Sequence, residues 1–142
     1  MTTSPRCALL DTSVLIDYPA GGLRAIADQS SVSAITIAEL HYGLLSRPED
    51  PLEQLRRRRR LQVMLESYDV LPFDAEVAEF YGALATALRR KGRNPRPRRL
   101  DLQIAATAAR HNLLLLTRNG AGFAGLEGAV EVIDLSAHPG GG

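Results

Sequence analysis

The stretch LDLQIAATAARHNLLLLTRN, residues 100–119, decides the fold of this chain. Its first half is rich in alanine, a strong helix former, and predicts a helix from Leu100 to His111. Its second half contains the fully apolar run Leu113–Leu116, whose length is typical of a buried strand. A helix that leads directly into a buried strand is one unit of an α/β fold, in which helices cover a parallel sheet.

The same alternation continues outward along the chain in both directions. Further strands are predicted at Cys7–Leu10, Ser31–Ser33, Asp69–Leu71 and Val130–Leu135. Segments of helical character separate these strands, which favours one parallel sheet of about four to five short strands flanked by helices. We therefore expect an α/β fold.

The predicted helices begin at recognisable start signals. One begins at about Gly22, and a second runs from Thr36 to Ser46, where Thr36 and Glu39 match a capping box. Pro51 opens a third helix that extends to about Ser67. Asp74 starts the best helix, because its apolar residues follow the spacing of a buried stripe: Val77, Tyr81, Leu84 and Leu88.

Length and composition predict one globular domain. The chain has 142 residues, of which 45% are hydrophobic and 23% charged, and we expect a core over residues 7–135 with a flexible tail at 136–142. A single cysteine, Cys7, excludes an intrachain disulfide and a thiolate cluster. No apolar run is long enough for a membrane helix, and the N-terminus lacks a signal-peptide core. We therefore expect a cytoplasmic protein without a membrane partner.

Basic residues are concentrated in two places, although the net charge is only +1. The run Arg56–Arg60 is typical of a solvated helix face. Residues 89–99, RRKGRNPRPRR, contain seven basic residues, no acidic residue and two prolines, and predict a basic loop. Such a local concentration of positive charge indicates a surface for a polyanionic partner.

Three acidic residues fall at predicted strand ends or helix starts. Asp11 directly follows the first strand, Glu39 lies early in its helix, and Asp101 begins the helix after the basic loop. Each has a local alternative role, as a turn former, a capping-box partner and an N-cap respectively. Ligands of open α/β sheets bind beyond the carboxyl ends of the strands, which favours a shared site for these acids.

Converging carboxylates would repel one another and raise their pKa values, unless a divalent cation lay between them. Mg²⁺ and Mn²⁺ prefer oxygen ligands and leave positions open for water and phosphate oxygens. Such an ion activates water and stabilises a phosphoryl transition state. Acids beside an arginine-rich segment therefore predict metal-dependent hydrolysis of phosphodiester bonds.

Two other kinds of site have little support. The segment GAGFAG, residues 120–125, fits the glycine pattern of dinucleotide-binding proteins. Only 17 residues follow it, too few for the helix and second strand that this function requires. The three histidines lack the spacing of zinc ligands.

Four segments give the chain a resemblance to a known family. LLDTSVLID, ITIAELHYG, LDLQIAATAARHNLLLLTRN and GFAGLEGAVEVIDL resemble the PIN-domain toxins of the VapC type, in the family's order, from about Cys7 to Leu135. The resemblance implies a single PIN-like domain and a ribonuclease dependent on Mg²⁺ or Mn²⁺. It also implies an RNA substrate such as tRNA, rRNA or mRNA, a cognate antitoxin that silences the enzyme, and a homodimer.

The resemblance also implies roles for individual residues. The metal acids of the family fall on Asp11, Glu39 and Asp101. A metal-bound water would attack phosphorus and leave a 5′-phosphate and a 3′-hydroxyl. The remaining candidates are polar residues that would orient water or the scissile phosphate, and arginines that would contact the RNA backbone: Thr12, Ser13, Thr117 and Asn119, and Arg93, Arg96, Arg98 and Arg99.

The chain departs from the family pattern at one position. The pattern T-R-N-x-x-D-F reads here with Gly122 in place of the aspartate, while Asn119 offers only a neutral amide. If a fourth carboxylate is needed, Gly122→Asp should strengthen metal binding; alternatively, Gly122 permits a turn with positive φ. The departure keeps open a catalytically weakened module that binds RNA or a partner. A nuclease that acts on DNA also stays open, because phosphate contacts do not distinguish RNA from DNA.

Overall fold

Five parallel strands form the centre of the molecule, in the order β3-β2-β1-β4-β5. The computed structural model describes residues 6–17, 20–46 and 50–136; most of the predicted tail, residues 137–142, lies outside them. The predicted parallel sheet flanked by helices is confirmed. The strands are β1 (Cys7–Leu10), β2 (Gln29–Ser33), β3 (Asp69–Leu71), β4 (Leu114–Thr117) and β5 (Val132–Asp134).

Helices cover both faces of this sheet. They are α1 (Thr12–Asp17), α2 (Ala20–Leu23), α3 (Ala34–Leu45), α4 (Pro51–Glu66), α5 (Ala75–Arg90) and α6 (Arg99–Arg110). Short 3₁₀ turns span Arg96–Arg98 and Gly120–Phe123. No helix of the described ranges is long and apolar enough to cross a membrane.

Alternate residues of the central strands supply two separate cores. Leu9 and Leu115 belong to the core under α5 and α6, whereas Leu10 and Leu116 belong to the core on the opposite face. Because successive side chains of a strand point to opposite faces, a strand buried on both sides must be apolar throughout. This explains the uninterrupted apolar runs of β1 and β4.

Several predicted boundaries are corrected. Thr36 is not an N-cap, because Ser33 at the end of β2 is extended and its hydroxyl accepts a hydrogen bond from the Ile35 amide at 3.0 Å. The early helix includes Ala20–Leu23 rather than starting at Gly22, and the sequence did not predict α1. The start at Asp74 is confirmed, since its carboxylate accepts from the Val77 amide at 3.0 Å.

The order of strands creates one crevice. β1 and β4 are neighbours, and the connection that leaves β1 runs to β2 on one side of the sheet, whereas the connection that leaves β4 runs to β5 on the other. Open α/β sheets bind ligands at such a point. The Asp11 amide donates to the Leu116 carbonyl at 2.9 Å, which joins the ends of β1 and β4 at the crevice.

Candidate metal centre

Asp11 is buried and held at the crevice by two hydroxyl groups. Its Oδ2 atom accepts hydrogen bonds from Thr117 Oγ1 at 2.8 Å and from Ser13 Oγ at 3.1 Å. These hydroxyls in turn accept from the Asn119 and Arg118 amides, each at 3.0 Å. The end of β4 and the turn after it therefore fix the orientation of the Asp11 carboxylate, which directly follows β1.

Glu39 approaches the crevice from α3. Its Oε1 atom accepts a hydrogen bond from Thr12 Oγ1 at 3.2 Å. The same Thr12 hydroxyl oxygen also lies 3.5 Å from Thr36 Oγ1. Burial raises the pKa of Glu39, and the Asp11 and Asp101 charges raise it further, although the hydrogen bond from Thr12 opposes them. Because Glu39 lies in the second turn of α3, it is not the capping-box partner.

Asp101 approaches from the first turn of α6. Burial raises the pKa of this carboxyl group, and the Asp11 charge adds to the rise, whereas the Arg98 charge lowers it. The N-cap alternative is wrong, because the helix begins at Arg99 and Arg98 occupies the cap position without a side-chain cap. Asp101 is therefore free of a local capping role.

The three carboxylates interact electrostatically without forming a closed cage. Asp11 and Asp101 both raise the pKa of Glu39, and Asp11 raises that of Asp101. Yet within residues 6–17, 20–46 and 50–136, no three His, Cys, Asp or Glu side chains lie close enough to hold a metal ion together. This arrangement fits Mg²⁺, which is usually held by one or two carboxylates and keeps several waters.

Gly122 lines the same crevice. A Cβ atom at this position would lie 2.9 Å from Asp101 Oδ2 and 3.4 Å from Asn119 Nδ2. Its φ is not positive, unlike those of Gly92, Gly125 and Gly128, so the positive-φ explanation of this glycine is wrong. A side chain at this position would have to displace the Asp101 carboxylate.

The segment GAGFAG forms only a 3₁₀ turn over Gly120–Phe123. A helix N-terminus, which the pyrophosphate of a dinucleotide requires, is missing from this part of the described chain. The dinucleotide alternative is therefore excluded.

The predicted phosphate-binding arginines fall into two groups. Arg98 donates to the Gly122 carbonyl through Nε at 2.8 Å and through Nη2, and Arg93 Nη1 donates to the Ala124 carbonyl at 3.5 Å. Arg96 and Arg99 are exposed. The predicted loop is also shorter than 89–99, because its ends belong to α5, the 3₁₀ turn and α6.

A groove lies beside Glu39, between α1, α3 and α4. Its volume is about 460 Å³, and Thr12 and Glu39 lie among its lining residues. Apolar side chains such as Met64 line its walls together with Arg57 and Arg60.

Comparisons with known proteins agree with this geometry. The family model of the PIN domain matches residues 8–127. Ribonuclease VapC5 of Mycobacterium tuberculosis is 34% identical over 137 residues, which cover 93% of this chain and 96% of the relative. Toxin FitB of Neisseria gonorrhoeae is 31% identical over 133 residues, covering 86% and 94% respectively.

Solved structures give the same result. A VapBC-5 toxin–antitoxin structure from Mycobacterium tuberculosis matches with a TM-score of 0.72 and 33% identity, over 92% of this chain and 99% of the other. FitAcB from Neisseria gonorrhoeae matches with a TM-score of 0.74 and 29% identity, over 89% and 96%.

Proposed function

Because this chain belongs to the PIN domain family, we propose that it is an endoribonuclease dependent on Mg²⁺ or Mn²⁺, and the toxin of a toxin–antitoxin pair in the cytoplasm. The observation that carries the proposal is the buried Asp11 carboxylate, fixed by Ser13 and Thr117 beside the charges of Glu39 and Asp101. Relatives named as ribonucleases support the reaction class.

The residues around the crevice have separable roles in this proposal. Asp11 and Asp101 would hold the divalent cation, and Glu39 would hold it through water. When bound, the ion supplies an activated water and stabilises charge on the phosphoryl group. Asn119, in the turn after β4, would orient the scissile phosphate or a water, and Thr12 Oγ1 keeps Glu39 turned into the site.

The four arginines proposed to act on RNA have two different roles, because two of them already donate hydrogen bonds within the protein. Arg96 and Arg99 are exposed and would contact RNA phosphates directly, because their side chains are available to solvent. Arg93 and Arg98 already donate to carbonyls of residues 122–125 and would act on RNA through the shape of that turn. A water positioned by the acids would displace the ribose oxygen, leaving a 5′-phosphate and a 3′-hydroxyl.

An antitoxin is the proposed protein partner, and the groove beside Glu39 is its proposed docking surface. The groove combines apolar walls with Arg57 and Arg60, which suits a segment with apolar anchors and acidic side chains. Solved relatives include VapBC-5 and FitAcB assemblies. A homodimer remains a prediction from the resemblance.

A cleavage assay on RNA and DNA tests the proposal. Purified protein is incubated with structured RNA and with DNA of the same sequence, with Mg²⁺ or Mn²⁺, and with excess chelator. We expect cleavage of RNA alone, its loss in chelator, and its loss in Asp11→Asn. Cleavage in chelator would overturn the metal requirement. Binding without cleavage would favour the weakened binding module, and DNA cleavage the DNA nuclease.

A further inference from the structure

Arg98 has an unusual position for a residue of a basic segment. It is half-buried, and two nitrogens of its guanidinium group converge on the Gly122 carbonyl oxygen. Such a forked contact fixes the orientation of the guanidinium plane, because two donors share one acceptor. The positive charge of Arg98 is therefore held at one place, unlike the charges of Arg96 and Arg99 on the surface.

The residue that anchors Arg98 also contacts the acidic site. The Cα atom of Gly122 faces Asp101, since a Cβ atom built there would lie 2.9 Å from Asp101 Oδ2. Gly122 thus contacts both groups: its carbonyl oxygen accepts from the Arg98 guanidinium group, and its Cα atom lies beside the Asp101 carboxylate. The guanidinium group of Arg98 and the carboxylate of Asp101 therefore both lie against Gly122.

Other basic residues nearby are committed elsewhere. Lys91 Nζ donates to the Gly125 carbonyl at 2.6 Å, and Arg93 Nη1 to the Ala124 carbonyl at 3.5 Å. Of these three basic residues, Arg98 is the one that is anchored on Gly122, the residue that faces Asp101.

We propose that Arg98 is a positioning residue that sets the charge of the metal centre. Its guanidinium group, fixed on the Gly122 carbonyl, offsets the Asp101 carboxylate at the position where the family pattern has a fourth acid. The centre then carries three carboxylates and one resident cation, and it binds a single divalent ion. This inference rests on the proposed function, because it requires that Asp11 and Asp101 hold a metal.

The direction in which removal of Arg98 changes metal affinity distinguishes a charge role from a purely structural role, in which Arg98 only clamps the turn. If Arg98 acts by its charge, its removal makes the site more negative, and a divalent ion binds more tightly. If Arg98 only holds the turn in place, its removal loosens Gly122 and Asp101, and the ion binds more weakly or unchanged. Screening by salt reduces the electrostatic effect, so low ionic strength is needed.

Calorimetric titration of Mn²⁺ into chelator-treated protein tests the proposal. We expect one Mn²⁺ per wild-type chain, and binding about three- to tenfold tighter in Arg98→Gln, as expected for loss of a unit charge near a divalent ion. Arg98→Lys keeps the unit charge, although its ammonium group cannot reproduce the forked contact, and it should therefore bind Mn²⁺ less tightly than Arg98→Gln. Arg90→Gln, which removes an exposed arginine at the end of α5, is the control for net charge and should stay within about twofold of wild type.

The outcomes distinguish this inference from the proposed function. Equal or weaker Mn²⁺ binding by Arg98→Gln, or two ions in the wild type, would overturn the charge role while leaving the metal centre intact. Absence of Mn²⁺ binding by the wild type would overturn the proposed function and this inference with it. Thermal unfolding in chelator checks folding; if Arg98→Gln does not fold, Arg98→Lys decides, because clearly weaker binding by that variant indicates a clamp alone.

Discussion

Replacing Gly122 by alanine should slow RNA cleavage, because the new Cβ atom would displace the Asp101 carboxylate. The Cβ atom would lie 2.9 Å from Asp101 Oδ2, whereas an ordinary contact needs about 3.5 Å. Asp101 must therefore move by at least about 0.5 Å. Since a misplacement of about 1 Å at a reacting centre costs roughly 10²-fold, we expect a loss of about tenfold in kcat/KM.

Gly122→Asp should also lose activity, contrary to the gain predicted from the family pattern alone. It introduces the same Cβ atom and adds a fourth negative charge beside Asp101, whose pKa is already raised by burial and by Asp11. In chelator, we expect Gly122→Ala to lower the unfolding free energy by about 1 kcal/mol, or Tm by about 2–4 °C. Gly122→Asp should lower Tm further, because the added charge has no metal to offset it.

Gly82→Ala is the matched control, because a Cβ atom there meets nothing within 4 Å. This helical substitution should preserve the cleavage rate and raise stability by roughly 0.5–1 kcal/mol. Rates of RNA cleavage at saturating Mn²⁺ and thermal melts in chelator compare the three variants. A wild-type rate in Gly122→Ala would refute the steric argument, and a faster rate in Gly122→Asp would restore the view that the centre lacks an acid.

Three further variants test other parts of the site. Burial raises the pKa of Glu39, so the ionised carboxylate destabilises the metal-free fold. This destabilisation begins as the pH rises above the ordinary carboxyl pKa, and it is complete above the raised pKa of the folded protein. Glu39→Gln should therefore raise Tm in chelator at pH 7, and the gain should vanish near pH 4; an equal gain at both values would contradict this. Thr117→Val removes the 2.8 Å hydrogen bond to Asp11 and should destabilise the protein by about 1–3 kcal/mol. It should also lower kcat in cleavage assays, and an unchanged kcat would show that Asp11 does not need this hydrogen bond for its orientation. Joint replacement of Arg96 and Arg99 by glutamine should raise KM for RNA and leave kcat nearly unchanged. It should also reduce the slope of the logarithm of the RNA-binding constant against log salt by about 1.4–1.8. A changed kcat with an unchanged slope would show that these arginines do not contact RNA phosphates.

Much of the fold could be predicted because burial on both faces of β1 and β4 demands continuous apolar residues. The same runs place Asp11 at a strand end, where the topology of the sheet brings ligands together. The resemblance to PIN-domain toxins is confirmed by the family match over residues 8–127. The assignment of individual residues to metal and RNA remains a prediction.

Other features depend on contacts that leave no local signal. The N-cap of α3 was misplaced by three residues because Thr36 and Ser33 are both good caps, and only the extended backbone at the end of β2 selects Ser33. The contact of Arg98 with Gly122 joins residues 24 positions apart through a backbone carbonyl, a group that every residue carries. Gly122 likewise could not be explained from sequence, because its constraint comes from Asp101 on another element.

The most direct test of the proposed metal centre is the rate of RNA cleavage as a function of Mn²⁺ concentration, in wild-type protein and in Asp11→Asn. We predict a rate that rises from zero in chelator to saturation in the wild type. Asp11→Asn should be folded, as judged by its melt in chelator, yet inactive at every Mn²⁺ concentration, because the asparagine amide cannot replace the fixed charge. A folded Asp11→Asn variant with the wild-type dependence on Mn²⁺ would contradict the assignment of this centre.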